Sequence, residues 1–156
     1  MLDIDIMGSQ DIQNLLQQVG HGHLGCAFEG RPYVVPMQYY LENSSGDSSQ
    51  ESTIYIFTTE GQKTQYLDAN PQVCLQVEDI QDPLHWRSVI VTGRAERLTE
   101  PSEIEHVKQL VKARNPTTLS PAISRTWIDS WGRKNTVAIY RIHPSEITGN
   151  QTTEQA

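Results

Sequence analysis

The chain has 156 residues, a formal net charge of −7 and an isoelectric point of about 5.1. This length suits one domain with room for a hydrophobic core. The acidic balance disfavours nucleic acid as a partner, because phosphate contacts need clustered Lys and Arg. No apolar run is long enough to cross a bilayer, and the acidic start lacks the pattern of a secretory signal. We therefore expect a cytoplasmic globular protein that binds neither nucleic acid nor a membrane.

The first third of the chain predicts a helix followed by a β-hairpin. Ser9 is a candidate N-cap, the apolar residues that follow recur at helical spacing, and Gly20 ends the segment. Two strands, 23–28 and 31–41, then flank the tight turn Glu29-Gly30. The next segment, 42–52, is small and polar, and this composition predicts an exposed loop.

The middle of the chain predicts strand, helix and two further strands. Residues 53–58 read as a strand, and Thr59-x-x-Gln62 matches a capping box that would open a helix over 60–70. Alternating apolar residues predict strands over 72–80 and 87–98.

The last third predicts two helices and a closing strand. Pro101 opens a helix that we expect to end before Asn115-Pro116. Ser120-Pro121 opens another, which carries Ile123, Trp127 and Trp131 on one face. Residues 135–142 form the last predicted strand.

This order of elements predicts a mainly β protein. At least six strands with short connections favour an antiparallel sheet closed into a small barrel, with helices around it. Alternating βα units, which a doubly wound dinucleotide fold requires, are absent from the pattern.

The stretch TTEGQK, residues 58–63, has the features of an anion site. A helix N-terminus presents unpaired N–H groups and a partial positive charge, and Lys63 adds a mobile cation within the first turn. Arg87 and Ser88 open a later strand and offer a second basic element. Taken singly, each cation is better explained as a solvated surface residue, and Gly-x-Lys lacks the full phosphate-loop pattern.

Pro36 lies in the middle of the strand-like run YVVPMQYYL. Proline cannot donate to a sheet ladder, so it belongs at an edge or a bulge. Neighbouring backbone groups are then free to bind a flat ligand, with Gln38 and Tyr39 beside it. An edge proline that merely prevents aggregation explains the position equally well.

Cysteine and histidine give weaker signals. Cys26 and Cys74 lie in apolar strand-like runs and are interpreted as free thiols in a reducing compartment. His21 and His23 share a strand face, but no third metal ligand follows from the spacing, so we predict no metal site.

Four segments together resemble the FMN-binding split-barrel family, which includes pyridoxamine 5′-phosphate oxidase. They are VVPMQY, IYIFTTEGQK, NPQVCLQVE and WRSVIVTGRAERL, at 34–39, 54–63, 70–78 and 86–98. The resemblance extends over residues 9–147 in the same order, and the branch it is most similar to is that of nitroimidazole-resistance flavoproteins.

The resemblance implies a six-stranded antiparallel split β-barrel over residues 1–147 as a single domain, with 148–156 as a polar tail. It also implies a homodimer with FMN at the subunit interface and a small-molecule substrate. Carried over position by position, the predicted cofactor-binding residues are Val35, Pro36, Met37, Gln38, Thr58, Thr59, Lys63, Arg87 and Ser88.

The implied function is that of an FMN-dependent oxidoreductase. Phe57 stands where nitroimidazole-resistance relatives often have a histidine, so no catalytic acid or base is assigned and nitroreduction is not predicted. Two alternatives stay open: a flavin-binding or flavin-storage protein without catalysis, and a haem-handling protein of the same fold. For the last, the candidate axial ligands are His21, His23, His85 and His143.

Overall fold

A computed structural model describes residues 2–43, 52–118 and 137–154. Within these ranges the chain forms seven strands and three α-helices. The strands are β1 (Leu2–Ile6), β2 (His21–Phe28), β3 (Arg31–Asn43), β4 (Ser52–Thr59), β5 (Gln72–Asp82), β6 (His85–Arg97) and β7 (Val137–Glu154). The helices are α1 (Ser9–Val19), α2 (Gln62–Ala69) and α3 (Pro101–Thr118).

Six of these strands close into an antiparallel barrel. The strands pair in the order β1-β7-β4-β3-β2-β5-β6, and β6 pairs back onto β7 to complete the ring. β1 adds to the last five residues of β7 and lies outside the closed ring. The predicted mainly β split barrel is thus confirmed, with a seventh strand that the sequence reasoning missed.

The barrel interior holds the main hydrophobic core. Alternate residues of the strands point inward, as the pleat requires, and Leu24, Ile56 and Leu75 are fully buried there. α1 contributes Leu15 and Leu16 to this core, and α2 contributes Leu67. The two short helices therefore depend on the barrel for a surface to pack on.

A second, smaller core lies outside the barrel. α3 packs Val107 and Val111 against Tyr40, Phe57 and their neighbours on the outer faces of β3, β4 and β7. The rings of Tyr40 and Phe57 meet edge to face with centroids 5.2 Å apart. This packing gives Phe57 a structural position under α3.

The helix boundaries differ from the prediction in three places. Gly8, not Ser9, is the N-cap of α1, and Gly20 closes the helix in a left-handed conformation as predicted. The cap of α2 is Gly61, because Thr64 rather than Gln62 bonds back to the cap residue. α3 continues past Asn115-Pro116 to Thr118, since a proline disfavours but does not forbid a helical residue before it.

The C-terminal strand is much longer than predicted. β7 runs to Glu154, so most of the segment expected to be a polar tail is paired with β1 on one side and β6 on the other. The side chains of this last segment are polar, so the sequence shows no apolar alternation there that would predict a strand. Both the greater part of the predicted loop 42–52 and the predicted helix from Ser120 lie outside the described residues. None of the described helices is long and apolar enough to span a membrane.

Candidate functional site: a gap between β3 and β4

The barrel is open between the N-terminal part of β3 and the C-terminal end of β4. Their ladder ends at the pair Tyr39–Ile56. β3 nevertheless continues along β2 to Arg31, and β4 continues along β7 to Thr59. The predicted residues Val35–Gln38 on β3 and Thr58–Thr59 on β4 therefore border the same gap.

Backbone groups of β3 point into this gap. The Tyr39 N–H donates to the Gly20 carbonyl at 3.1 Å, on the β2 side of the strand. Because ladder bonds alternate along a strand, Met37 and Val35 also face β2, while Gln38 and Pro36 turn their backbone groups towards the gap. Pro36 has no N–H to leave unpaired there, which explains a proline within a strand.

Gln38, on the strand that borders the gap, has an unmet side-chain acceptor. Its Oε1 atom is buried and has no hydrogen-bond partner among the described residues. Burying such an acceptor without a donor costs free energy, so these atoms are nearly always paired in native proteins. The Gln38 amide thus fits a ligand that brings an N–H donor.

The N-terminus of α2 lies beyond the end of β4, at the same gap. The first helical bond runs from Gln65 N–H to the Gly61 carbonyl at 3.1 Å. Thr64 Oγ1 accepts from the Gly61 N–H at 3.0 Å and donates to the Gly61 carbonyl at 2.9 Å. The N–H groups of residues 62–64 have no helical partner, as at any helix start. Half-buried Lys63 stands in this first turn.

The two threonines before this helix differ in their surroundings. Thr58 is fully buried on the interior side of β4, and its hydroxyl donates to the Thr59 carbonyl at 3.3 Å. Thr59 points outward and is exposed. Of the two predicted hydroxyl donors, only that of Thr59 is presented to a ligand at the surface.

Arg87 and Ser88 lie near the start of β6, away from this gap. Arg87 pairs across the sheet with Asp79, and its guanidinium donates to that carboxylate at 2.7 Å. Ser88, the next residue, points to the opposite face of the sheet and accepts a hydrogen bond from Gln76 Nε2 at 3.1 Å. The two residues therefore cannot approach one phosphate from the same side of β6.

The structure does not bring Lys63 and Arg87 together within one chain. α2 is tied to the far end of β6 by the Asp68–Arg97 hydrogen bond, at 3.0 Å. Arg97 and Arg87 lie ten positions apart on this strand, which corresponds to roughly 30 Å at the usual rise of a strand. A pocket of about 210 Å³ does border Arg87, but its other walls are Asp79, His85, Trp86 and residues of β7, not α2.

An ion cluster around α2 was not predicted from the sequence. Arg97 donates to Glu60 just before the helix and to Asp68 in its last turn. Asp68 also accepts from the buried Tyr140 hydroxyl at 2.9 Å, and burial together with this bond raises the pKa of Tyr140. A local sequence pattern cannot predict such contacts, because they join residues that are 37 and 72 positions apart in the chain.

The remaining histidine and cysteine predictions can be placed. Cys26 and Cys74 are free thiols, and burial together with the neighbouring Cys74 raises the pKa of Cys26. His23 contacts Gln76, and His85 contacts Asp82. Over residues 2–43, 52–118 and 137–154, no three His, Cys, Asp or Glu side chains come close enough to hold a metal ion.

Comparison with known proteins identifies the class to which this fold and gap belong. The family model for pyridoxamine 5′-phosphate oxidase matches residues 8–151, nearly the whole chain. The chain belongs to the pyridoxamine 5′-phosphate oxidase family. β1 lies outside the matched segment.

Individual relatives are more distant. An uncharacterized protein of Rhizobium meliloti is 27% identical over 103 residues, which cover 66% of this chain and 63% of that relative. An FAD-binding protein from Mesorhizobium loti superposes with a TM-score of 0.72 at 23% identity, covering 99% of this chain and 100% of that one. A candidate 5-nitroimidazole antibiotic resistance protein from Bacteroides thetaiotaomicron superposes with a TM-score of 0.68 at 20% identity, covering 99% of this chain and 93% of that one. The two structures share the fold.

Proposed function

We propose that this protein binds a flavin, FMN, in the gap between β3 and β4. The observation that carries the proposal is the buried, unpartnered Oε1 of Gln38 at the edge of that gap. The isoalloxazine ring of a flavin has an N–H on its rim that can donate to such an acceptor. Membership of the pyridoxamine 5′-phosphate oxidase family and the FAD-binding protein of the same fold support the same class of ligand.

The two sides of the gap suit the two ends of this ligand. Val35, Pro36, Met37 and Gln38 would run along the ring, with the free carbonyls of Pro36 and Gln38 as further acceptors. The N–H groups at the start of α2 and the Lys63 ammonium would hold the phosphate, because a helix N-terminus favours an anion. Thr59 adds a hydroxyl donor next to them.

FMN is proposed rather than FAD because the gap offers one anion-binding element, the first turn of α2. When bound, the flavin supplies hydride or electron transfer, and the protein supplies binding, orientation and exclusion of water. We propose an FMN-dependent oxidoreductase that acts on a small molecule. A flavin-storage role is the second candidate, since Phe57 is packed under α3 and offers no proton.

A homodimer would complete the site. Ser88 and Gln38 lie on the same outer face of the β3-β2-β5-β6 sheet, which also exposes Val34, Ile80 and Ile90 at 65, 59 and 43%. A second copy on this face would cover these side chains and would bring its own Ser88 towards the flavin. Only such an arrangement lets Lys63 of one copy and Ser88 of the other serve one ligand.

Ligand release and titration test the proposal. The purified protein is heated, the released small molecule is identified by mass, and the stripped protein is titrated with FMN while flavin fluorescence is followed. We expect a yellow preparation, FMN as the released ligand and saturable quenching. A haem absorption band, or no quenching at millimolar FMN, would contradict the proposal. Bleaching of the bound flavin by NAD(P)H separates the oxidoreductase from the storage protein.

A further inference from the structure

Arg97 is placed to control the charge at the start of α2. Its side chain, 35% exposed, reaches from β6 to two carboxylates that flank the helix. One belongs to Glu60, directly before the N-cap Gly61, and the other to Asp68 in the last turn. The guanidinium also lies over the Tyr140 ring, 5.8 Å from its centroid. Three groups, the two carboxylates and the Tyr140 ring, therefore fix one arginine beside α2.

Glu60 is the wrong charge for a phosphate site. A free carboxylate next to a helix N-terminus is attracted to the unpaired N–H groups there, as an acidic capping residue is. It would compete with a bound phosphate for those donors and would repel the phosphate charge at the same time.

We infer that Arg97 is a positioning residue that holds the Glu60 carboxylate away from the N-terminus of α2 and so keeps it open to the flavin phosphate. The inference rests on the proposed function, because it assigns a role in the same site. It predicts that Arg97 determines the preference for a phosphorylated flavin without contacting the ligand.

Arg97 is not required to hold the barrel together. Both of its ion pairs are part-exposed, and exposed pairs contribute little to stability. Variants at this position are therefore expected to fold, and the anchor of α2 in the core remains Leu67.

Four variants, each titrated with FMN and with riboflavin, test the inference. Arg97→Gln is expected to weaken FMN binding about tenfold while riboflavin, which lacks the phosphate, changes less than threefold. The double variant Glu60→Gln/Arg97→Gln is expected to recover FMN affinity to within threefold of wild type, because the competing carboxylate is gone. Arg94→Gln, an exposed arginine on the same strand, and Asp68→Asn, which leaves the Glu60 pair intact, are expected to bind FMN like wild type.

The outcomes separate the inference from the proposed function. If the double variant stays as weak as Arg97→Gln, or if Arg97→Gln weakens both flavins equally, the role assigned to Arg97 is wrong although FMN still binds. A tenfold loss in Asp68→Asn would show that anchoring of the helix, not the charge of Glu60, sets the affinity. Wild-type protein that binds neither flavin would overturn the proposed function itself. Should Arg97→Gln not fold, Glu60→Gln alone decides the question: weaker FMN binding in that variant would contradict the inference.

Discussion

Replacing Gln38 with methionine should act in opposite directions on the free and the flavin-bound protein. Methionine has a similar length and no polar atom, so the substitution removes the buried Oε1 acceptor that has no partner in the described part of the chain. A buried unsatisfied group costs about 1–3 kcal/mol. Because the rest of the Gln38 side chain is only half-buried, we take the low end, about 1 kcal/mol of added stability in the flavin-free protein.

Two assays measure the two effects. Thermal unfolding of the flavin-free protein should show a melting temperature raised by about 2–4 °C, the shift that 1 kcal/mol produces at this chain length. FMN should bind about threefold to tenfold more weakly, because one neutral hydrogen bond contributes roughly 0.5–1.5 kcal/mol.

Gln76 provides the matched control on the same sheet face. Its Nε2 donates to Glu78 at 3.0 Å and to Ser88 at 3.1 Å, so its amide is already satisfied. Gln76→Met should therefore lower the melting temperature. If Gln38→Met also lowered it, or left FMN affinity unchanged, the interpretation of Gln38 as an acceptor waiting for a ligand would be refuted.

Three further results are expected. Gly93→Ala should destabilise the protein by about 3 kcal/mol or more in chemical denaturation, since a Cβ there would overlap the carbonyl oxygen of His143 at the β6–β7 bulge; an unchanged denaturation midpoint would contradict this packing. Burial raises the pKa of Tyr39 to about 12. The contribution of the neutral Tyr39 to the free energy of unfolding is therefore present below about pH 10 and is lost as the pH rises towards 12. A pH titration of unfolding should show this loss, and Tyr39→Phe should reduce its slope while costing about 1 kcal/mol for the hydrogen bond to the Leu16 carbonyl. Arg87→Ala should weaken FMN much less than Lys63→Ala does, because Arg87 is engaged by Asp79; equal losses would place Arg87 at the phosphate.

The elements of the barrel could be read from local pattern. The β2–β3 hairpin, α1 and the middle strands have clear apolar periods and turn residues, and the structure has them within a few residues of the predicted ends. The last part of β7 could not be found this way, because its residues are polar and it is stabilised by pairing with β1 and β6. β1 does alternate between apolar and polar residues, but its five residues were not interpreted as a strand.

In the candidate site, too, local features could be predicted from the sequence and long-range contacts could not. Pro36 and the TTEGQK turn can be recognised from residue type alone, and in the structure both border one gap. The distance from Lys63 to Arg87 depends on which end of β6 faces α2, and that follows only from the closure of the barrel. The Arg97 cluster was missed for the same reason, since it joins α2 to β6 and β7 across the fold.

The phosphate end of the site can be tested most directly with two flavins and one lysine. FMN and riboflavin are titrated into wild-type protein and into Lys63→Ala, with fluorescence quenching as the signal. Hydrogen bonds to charged groups contribute about 1.5–3 kcal/mol, so Lys63→Ala should weaken FMN about tenfold to a hundredfold and leave riboflavin almost unchanged. If riboflavin weakened as much as FMN, Lys63 would act on the ring or on the fold, and the flavin phosphate would not lie at the start of α2.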